Sequence, residues 1–109
     1  MTLQMAIAAG NAESGRKLYA DLCVGCHGDT ATAPEVGPSL KGVYGRKAGT
    51  EPKGVHSSAL MDSKLTWNDA NLRKFLTDPV KLLPGTYMPV GFPDAQHVED
   101  LIAFLRTLR

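Results

Sequence analysis

Apolar positions along this chain gather into three helical runs, separated by two long stretches with no period. In the first run, about 12–23, Leu18 and Leu22 stand at i, i+4 with Tyr19 beside them, the spacing of one helix face. Asn11 and Ser14 are both credible N-caps. Gly15 is out of place there, since glycine inside a helix costs about 1 kcal/mol relative to alanine. It marks either a frayed start or a point where another helix comes close. The second run opens on Leu65-Thr66-Trp67-Asn68-Asp69, where Thr66 and Asp69 form an acidic variant of the capping box. Leu72, Phe75 and Leu76 supply its apolar face, and Pro79 stops it after Asp78. In the third run Asp94 is the cap, and Val98, Leu101, Ile102, Leu105 and Leu108 form one stripe. Glu99 and Asp100 lie near its start, and Arg106 and Arg109 near its end, as the helix dipole favours.

Between these runs the chain is dense in breakers. Residues 28–60 hold Gly28, Pro34, Gly37, Pro38, Gly42, Gly45, Gly49, Pro52 and Gly54. Neither a continuous helix nor an alternating strand survives that density. Residues 79–93, with Pro79, Pro84, Gly85, Pro89, Gly91 and Pro93, also read as loop. The expected class is all-α with long connections. Loops of that length in a small domain usually serve a function, and wrapping a large flat cofactor is one. Residues 1–10, MTLQMAIAAG, lack the basic start and longer apolar core of a full signal peptide. They read as a frayed end, an expression remnant or the trimmed end of a leader, in a mature or recombinant form. The expected organisation is a flexible 1–11 segment followed by one domain over 12–109.

Composition narrows the function classes. The chain has 109 residues, 43% apolar and 21% charged, which suits one small soluble domain and not a disordered chain. No apolar run approaches the roughly 18 residues of a membrane span. Twelve Lys and Arg against eleven Asp and Glu leave a formal charge of +1, too balanced for a dedicated nucleic-acid binder. Aromatic residues are only 6%, so a loop-rich middle needs some other source of buried bulk.

The most informative spacing is Cys23-Val24-Gly25-Cys26-His27. These are the only two cysteines, too few and too close for a secreted disulfide framework. A structural zinc site needs four ligands, and only His56 and His97 remain beyond this motif. A thioredoxin-like dithiol sits after a strand, and no β-branched strand precedes Cys23. C-x-x-C-H is the attachment signature of c-type haem. Two thiols three positions apart on one helical turn each reach a haem vinyl group, and the next residue aims its imidazole at the iron. Zinc and dithiol uses are the alternatives.

The chain thus runs helix, C-x-x-C-H, glycine-rich loop, middle helix, Pro-Met loop, terminal helix. It resembles class I cytochrome c, the group of mitochondrial cytochrome c and bacterial cytochrome c2, over roughly 12–108. The likeness is carried by Cys23-Val24-Gly25-Cys26-His27, Gly37-Pro38-Ser39-Leu40, Gly45-Arg46-Lys47-Ala48-Gly49 and Trp67. Pro84-Gly85-Thr86-Tyr87-Met88-Pro89 and Asp100-Leu101-Ile102-Ala103-Phe104-Leu105 complete it, in that order. The resemblance implies a small all-α domain whose N- and C-terminal helices cross, with loops around one covalent haem c and its iron. Cys23 and Cys26 would form the thioethers, and His27 and Met88 the axial ligands. Pro38 would accept the proximal imidazole N–H. Arg46 and Trp67 would surround a haem propionate, and His56 is a further candidate donor there. Gly15, Tyr19, Leu101 and Phe104 match the helix crossing.

Some positions depart from the mitochondrial pattern. Phe75 stands where a Tyr is common near the sulfur, His56 where the propionate loop often has Tyr, and the aromatic at the haem edge is Phe92 or absent. Met61 is the competing thioether, and His97, in a first helical turn, is a weak competing ligand. Lys17, Lys41, Lys47, Lys74 and Lys81 would form a docking ring at the exposed haem edge, or a solvated surface. The implied function is a soluble, monomeric one-electron carrier of a respiratory type of chain. It would dock transiently with redox proteins and would not be an enzyme. The alternative is a cytochrome domain serving a larger redox enzyme. Thioether attachment is made outside the cytoplasm, so the implied location is the periplasm, or else the mitochondrial intermembrane space.

Overall fold

The computed structural model describes residues 9–23, 40–50, 57–88 and 90–108. Among them are five helices: α1 (Ala12–Leu22), α2 (Ser58–Asp62), α3 (Asp69–Thr77), α4 (Pro79–Leu82) and α5 (Ala95–Thr107). The all-α expectation holds for these residues. The extended backbone takes part in one isolated antiparallel bridge, Lys47 to Thr66.

The terminal helices cross, and this is the most extensive helix contact among the described residues. Gly15 is what permits it. A Cβ there would run into the Asp100 carbonyl oxygen and lie 2.8 Å from the Phe104 Cβ. Close approach, not fraying, is therefore the reason for the glycine. Tyr19 packs its ring 5.3 Å from that of Phe104, and Leu101 and Ile102 are buried beneath the crossing. Asn11, not Ser14, caps α1: its side chain accepts the Ser14 N–H at 2.9 Å. Asp100 is not a solvated dipole partner. It is only 7% exposed and accepts the Asn11 backbone N–H at 2.9 Å and the Gln96 amide at 3.0 Å.

Three local expectations are corrected. Asn68, not Thr66, caps α3, because the Thr66 backbone is already committed to the bridge and its carbonyl accepts the Asn71 side-chain amide. Residues 79–82, read as loop, form the short turn α4. Proline at its first position needs no helical N–H, and the Asp78 side chain caps it. α2 lies at the edge of the breaker-rich stretch, capped by Ser57 accepting the Leu60 N–H. Helices of four and five residues are too short to show an apolar period.

One apolar cluster unites the domain. Tyr19, Leu101, Ile102 and Leu105 at the crossing continue into Trp67, Leu72, Phe75, Leu76, Leu83 and Phe92. Cys23, Leu40, Leu60, Leu65, Leu82 and Met88 pack against it, half-buried. Each Å² of apolar surface so removed from water contributes roughly 25 cal/mol. No helix among the described residues is long and apolar enough to cross a membrane.

Candidate haem site

Cys23 ends α1, its N–H bonded to the Tyr19 carbonyl at 2.9 Å, so the helix carries the first thiol to the edge of the apolar cluster. Cys26, His27, Pro38 and His56 lie outside the described residues.

Arg46 and Trp67 are brought together by backbone pairing. Trp67 donates its N–H to the Arg46 carbonyl at 2.8 Å, Gly45 donates to the Trp67 carbonyl at 2.7 Å, and Ala48 to the Leu65 carbonyl at 2.8 Å. Gly45, at φ 87°, and Gly42, at φ 72°, supply the left-handed turns that fold 40–48 back onto 65–67. Arg46 is half-buried. Trp67 is 7% exposed and meets Phe75 edge-on at 5.1 Å. Its indole N–H finds no acceptor among the described residues. A buried donor left without an acceptor costs about 1–3 kcal/mol.

Met88 sits in a loop fixed at both ends. On the near side Leu83 is buried and donates to the Pro79 carbonyl, and Thr86 donates to the Leu83 carbonyl at 3.0 Å. Gly85, at φ 94°, turns the chain, and the Met88 N–H reaches the Thr86 hydroxyl at 3.3 Å. On the far side Phe92 donates to the Leu76 carbonyl at 2.8 Å and is buried in the cluster. Gly91 passes so close to the Thr77 carbonyl that a side chain would collide with it. The tie of this loop to the end of α3 has no signal in sequence beyond the glycine itself. Met61 is 53% exposed on α2, with its backbone against Gly49. It lacks the half-buried seat against the cluster that Met88 has. His97 is exposed, 3.7 Å from Asp94.

Two ion pairs among the described residues tie α3 to α5 beside this core. Arg73 and Glu99 join α3 to α5 at 2.7 and 2.9 Å, and the hydrogen bonds from Arg73 hold the Glu99 carboxyl below its ordinary range. Arg106 does the same for Asp69 at 2.5 Å, with a further bond from the Tyr44 hydroxyl. In sequence Arg106 reads only as a helix-dipole partner, because Asp69 is 37 residues away. Lys17, Lys41, Lys47, Lys74 and Lys81 are all exposed.

Comparison with known proteins agrees with this architecture. The family model for cytochrome c matches residues 12–109. Cytochrome c of Euglena viridis is 39% identical over 101 residues, covering 92% of this chain and 99% of the relative. Cytochrome c2 of Rhodopila globiformis is 41% identical over 101 residues, covering 92% of this chain and 95% of the relative. Among solved structures, cytochrome cH from Methylobacterium extorquens superimposes with a TM-score of 0.83 at 44% identity, covering 90% of this chain and 99% of that one. With the crossed helices and the Met88 loop already in place, these matches make the chain a member of the cytochrome c family.

Proposed function

We propose that this chain carries single electrons between redox proteins through one haem c bound to Cys23 and Cys26, with His27 and Met88 as axial ligands. Electron carriage and one covalently attached haem c with iron are properties of the family. The residue assignments are our reading. The observation that carries it is the buried Trp67 indole N–H, without an acceptor among the described residues, beside the half-buried Arg46. The pair fits a carboxylate of the group, one neutral donor and one cation, and the apolar cluster against which Cys23 and Met88 pack fits its hydrophobic face.

The haem iron supplies the one-electron couple. Met88 offers a soft neutral thioether, which favours the ferrous state and raises the potential. Pro38 would accept the imidazole N–H of His27 and fix the ring. Phe75, Leu72, Leu83 and Phe92 keep water from the site, and a dry surround disfavours the extra positive charge of the oxidised state. Held at both ends, the Met88 loop would keep its shape when the iron changes charge. His27 and Met88 would together fill the iron's remaining positions and leave none for a substrate, which is why we read a carrier and not an enzyme. The matched relatives are named as cytochromes c and c2 and are covered over 99% and 95% of their length. That supports a carrier over a module of a larger redox enzyme.

Partner docking fits the flank of Met88. Tyr87 and Val90, close to it in sequence, are exposed apolar residues, and the exposed lysines include Lys74 and Lys81. A small wet contact of that kind suits a transient complex of a monomeric carrier, with charge acting mainly on the on-rate. The compartment we infer is the periplasm, because thioether formation takes place outside the cytoplasm and the chain lacks a long lysine-rich profile. The test is a pair of visible spectra, oxidised and reduced, of the wild type and of Cys23→Ala/Cys26→Ala. The first should show haem c that resists acid extraction, and the second no covalent haem.

A further inference from the structure

Apart from the expected haem contacts, one polar cluster of the described residues draws three separate segments together. Arg106 Nη2 lies 2.5 Å from both carboxylate oxygens of Asp69. The Tyr44 hydroxyl donates to Asp69 Oδ1 at 2.9 Å, and the Arg106 guanidinium lies 5.2 Å from the centre of the Tyr44 ring. Tyr44 belongs to the 40–48 turn, Asp69 opens α3 and Arg106 is in the last turn of α5.

The position of this cluster matters more than its strength. An exposed ion pair adds about 0–1 kcal/mol to global stability. Here, however, Tyr44 immediately precedes Gly45, whose N–H bonds the Trp67 carbonyl, and Asp69 follows Trp67 by two residues. The cluster therefore closes the end of the short pairing that sets Arg46 beside Trp67. That pairing is the only bridge among the described residues and has no neighbouring strand to stiffen it. A second tie, Gly42 N–H to the Leu108 carbonyl at 2.6 Å, anchors the same turn to the end of α5. A segment with so few backbone bonds opens locally at low cost unless its ends are held.

We propose that Asp69 is a positioning residue: by engaging Tyr44 and Arg106 together, it fixes the Arg46–Trp67 pair and through that pair sets the reduction potential. The inference rests on the assignment of Arg46 and Trp67 to a haem carboxylate. Asp69→Asn keeps an acceptor for Tyr44 but loses the charge-assisted pair with Arg106. Tyr44→Phe removes one hydroxyl and leaves the ring against Arg106. Both changes are on the surface, so the holoprotein should fold.

The experiment measures two quantities on holoprotein: amide hydrogen exchange at Gly45 and Trp67, and the potential across pH by spectroelectrochemistry. Asp69→Asn should exchange these two amides about threefold to tenfold faster. It should also shift the potential in the same direction as Arg46→Leu, with Tyr44→Phe showing a smaller effect of the same sign. Glu99→Gln, which cuts the neighbouring α3–α5 ion pair, should move neither quantity. Unchanged exchange in Asp69→Asn would overturn the proposal, as would faster exchange with an unmoved potential while Arg46→Leu shifts it. An equal shift in Glu99→Gln would reduce the effect to general surface charge and overturn it as well. If Arg46→Leu itself leaves the potential unmoved, the carboxylate assignment fails, and the proposal falls with it.

Discussion

Trp67 and Arg46 are neighbours through their backbones: the Trp67 N–H donates to the Arg46 carbonyl at 2.8 Å, while the Trp67 indole N–H is left without an acceptor among the described residues. One residue of the pair is thus placed by the other, and the proposed haem carboxylate would give the indole its acceptor. Trp67→Phe preserves an aromatic ring against Phe75 and deletes only the donor. A hydrogen bond to a charged group contributes about 1.5–3 kcal/mol, and the holoprotein should lose that much stability in denaturant unfolding. Unchanged stability would mean that the indole donates to nothing.

Gly15 lies against the Asp100 carbonyl so closely that any side chain must push the terminal helices apart. Gly15→Ala should cost about 3 kcal/mol or more despite its better helix propensity, because overpacking outweighs the roughly 1 kcal/mol that alanine returns. Thermal unfolding monitored by circular dichroism checks this, and a stabilised variant would refute the close crossing.

Lys64 holds a left-handed conformation at φ 57° between α2 and the bridge. A Cβ is strained there and a glycine is not. Lys64→Gly should therefore stabilise the fold, by about 0.5–1 kcal/mol after the entropy that glycine adds to the unfolded chain. Denaturant midpoints of the two proteins decide the sign.

The carboxyls of Asp69 and Glu99 are held below their ordinary range, chiefly by hydrogen bonds from Arg106 and Arg73. A depressed value means that the unfolded chain binds these protons more readily. The stability they contribute is complete above the ordinary carboxylate range and is lost as pH falls through the folded values. Asp69 and its partner are substantially exposed, so each pair is worth at most about 1 kcal/mol after solvent screening. Asp69→Asn and Glu99→Gln should each be less stable than wild type at neutral pH, and the difference should vanish in acid. A difference that persists in acid would assign the loss to packing.

Long periodic segments were legible in the chain, and short or long-range features were not. The stripe from Val98 to Leu108 with its Asp94 cap predicts α5, and Leu18, Tyr19 and Leu22 predict α1. The α2 and α4 helices, five and four residues long, escape any periodic reading. Thr66 looks like a cap until the pairing with 45–48 claims its backbone. Asp100 reads as a surface acid because the amide it accepts, that of Asn11, lies 89 residues away. Of the candidate site, Arg46, Trp67 and Met88 were visible as motif members. What holds them was not: Gly91 against Thr77, and Asp69 with Arg106, are contacts that only folding creates. The Cys26-His27 pair, Pro38 and His56 are readings from spacing and family likeness, and they lie outside the described residues.

The central claim is that Met88 supplies the sulfur ligand. The direct measurement is the weak far-red band that marks sulfur on ferric iron, recorded for the wild type, Met88→Ala and Met61→Ala. The band should be present in the wild type, absent from Met88→Ala with haem still covalently attached, and undiminished in Met61→Ala. A band that survives Met88→Ala and disappears in Met61→Ala would contradict the account.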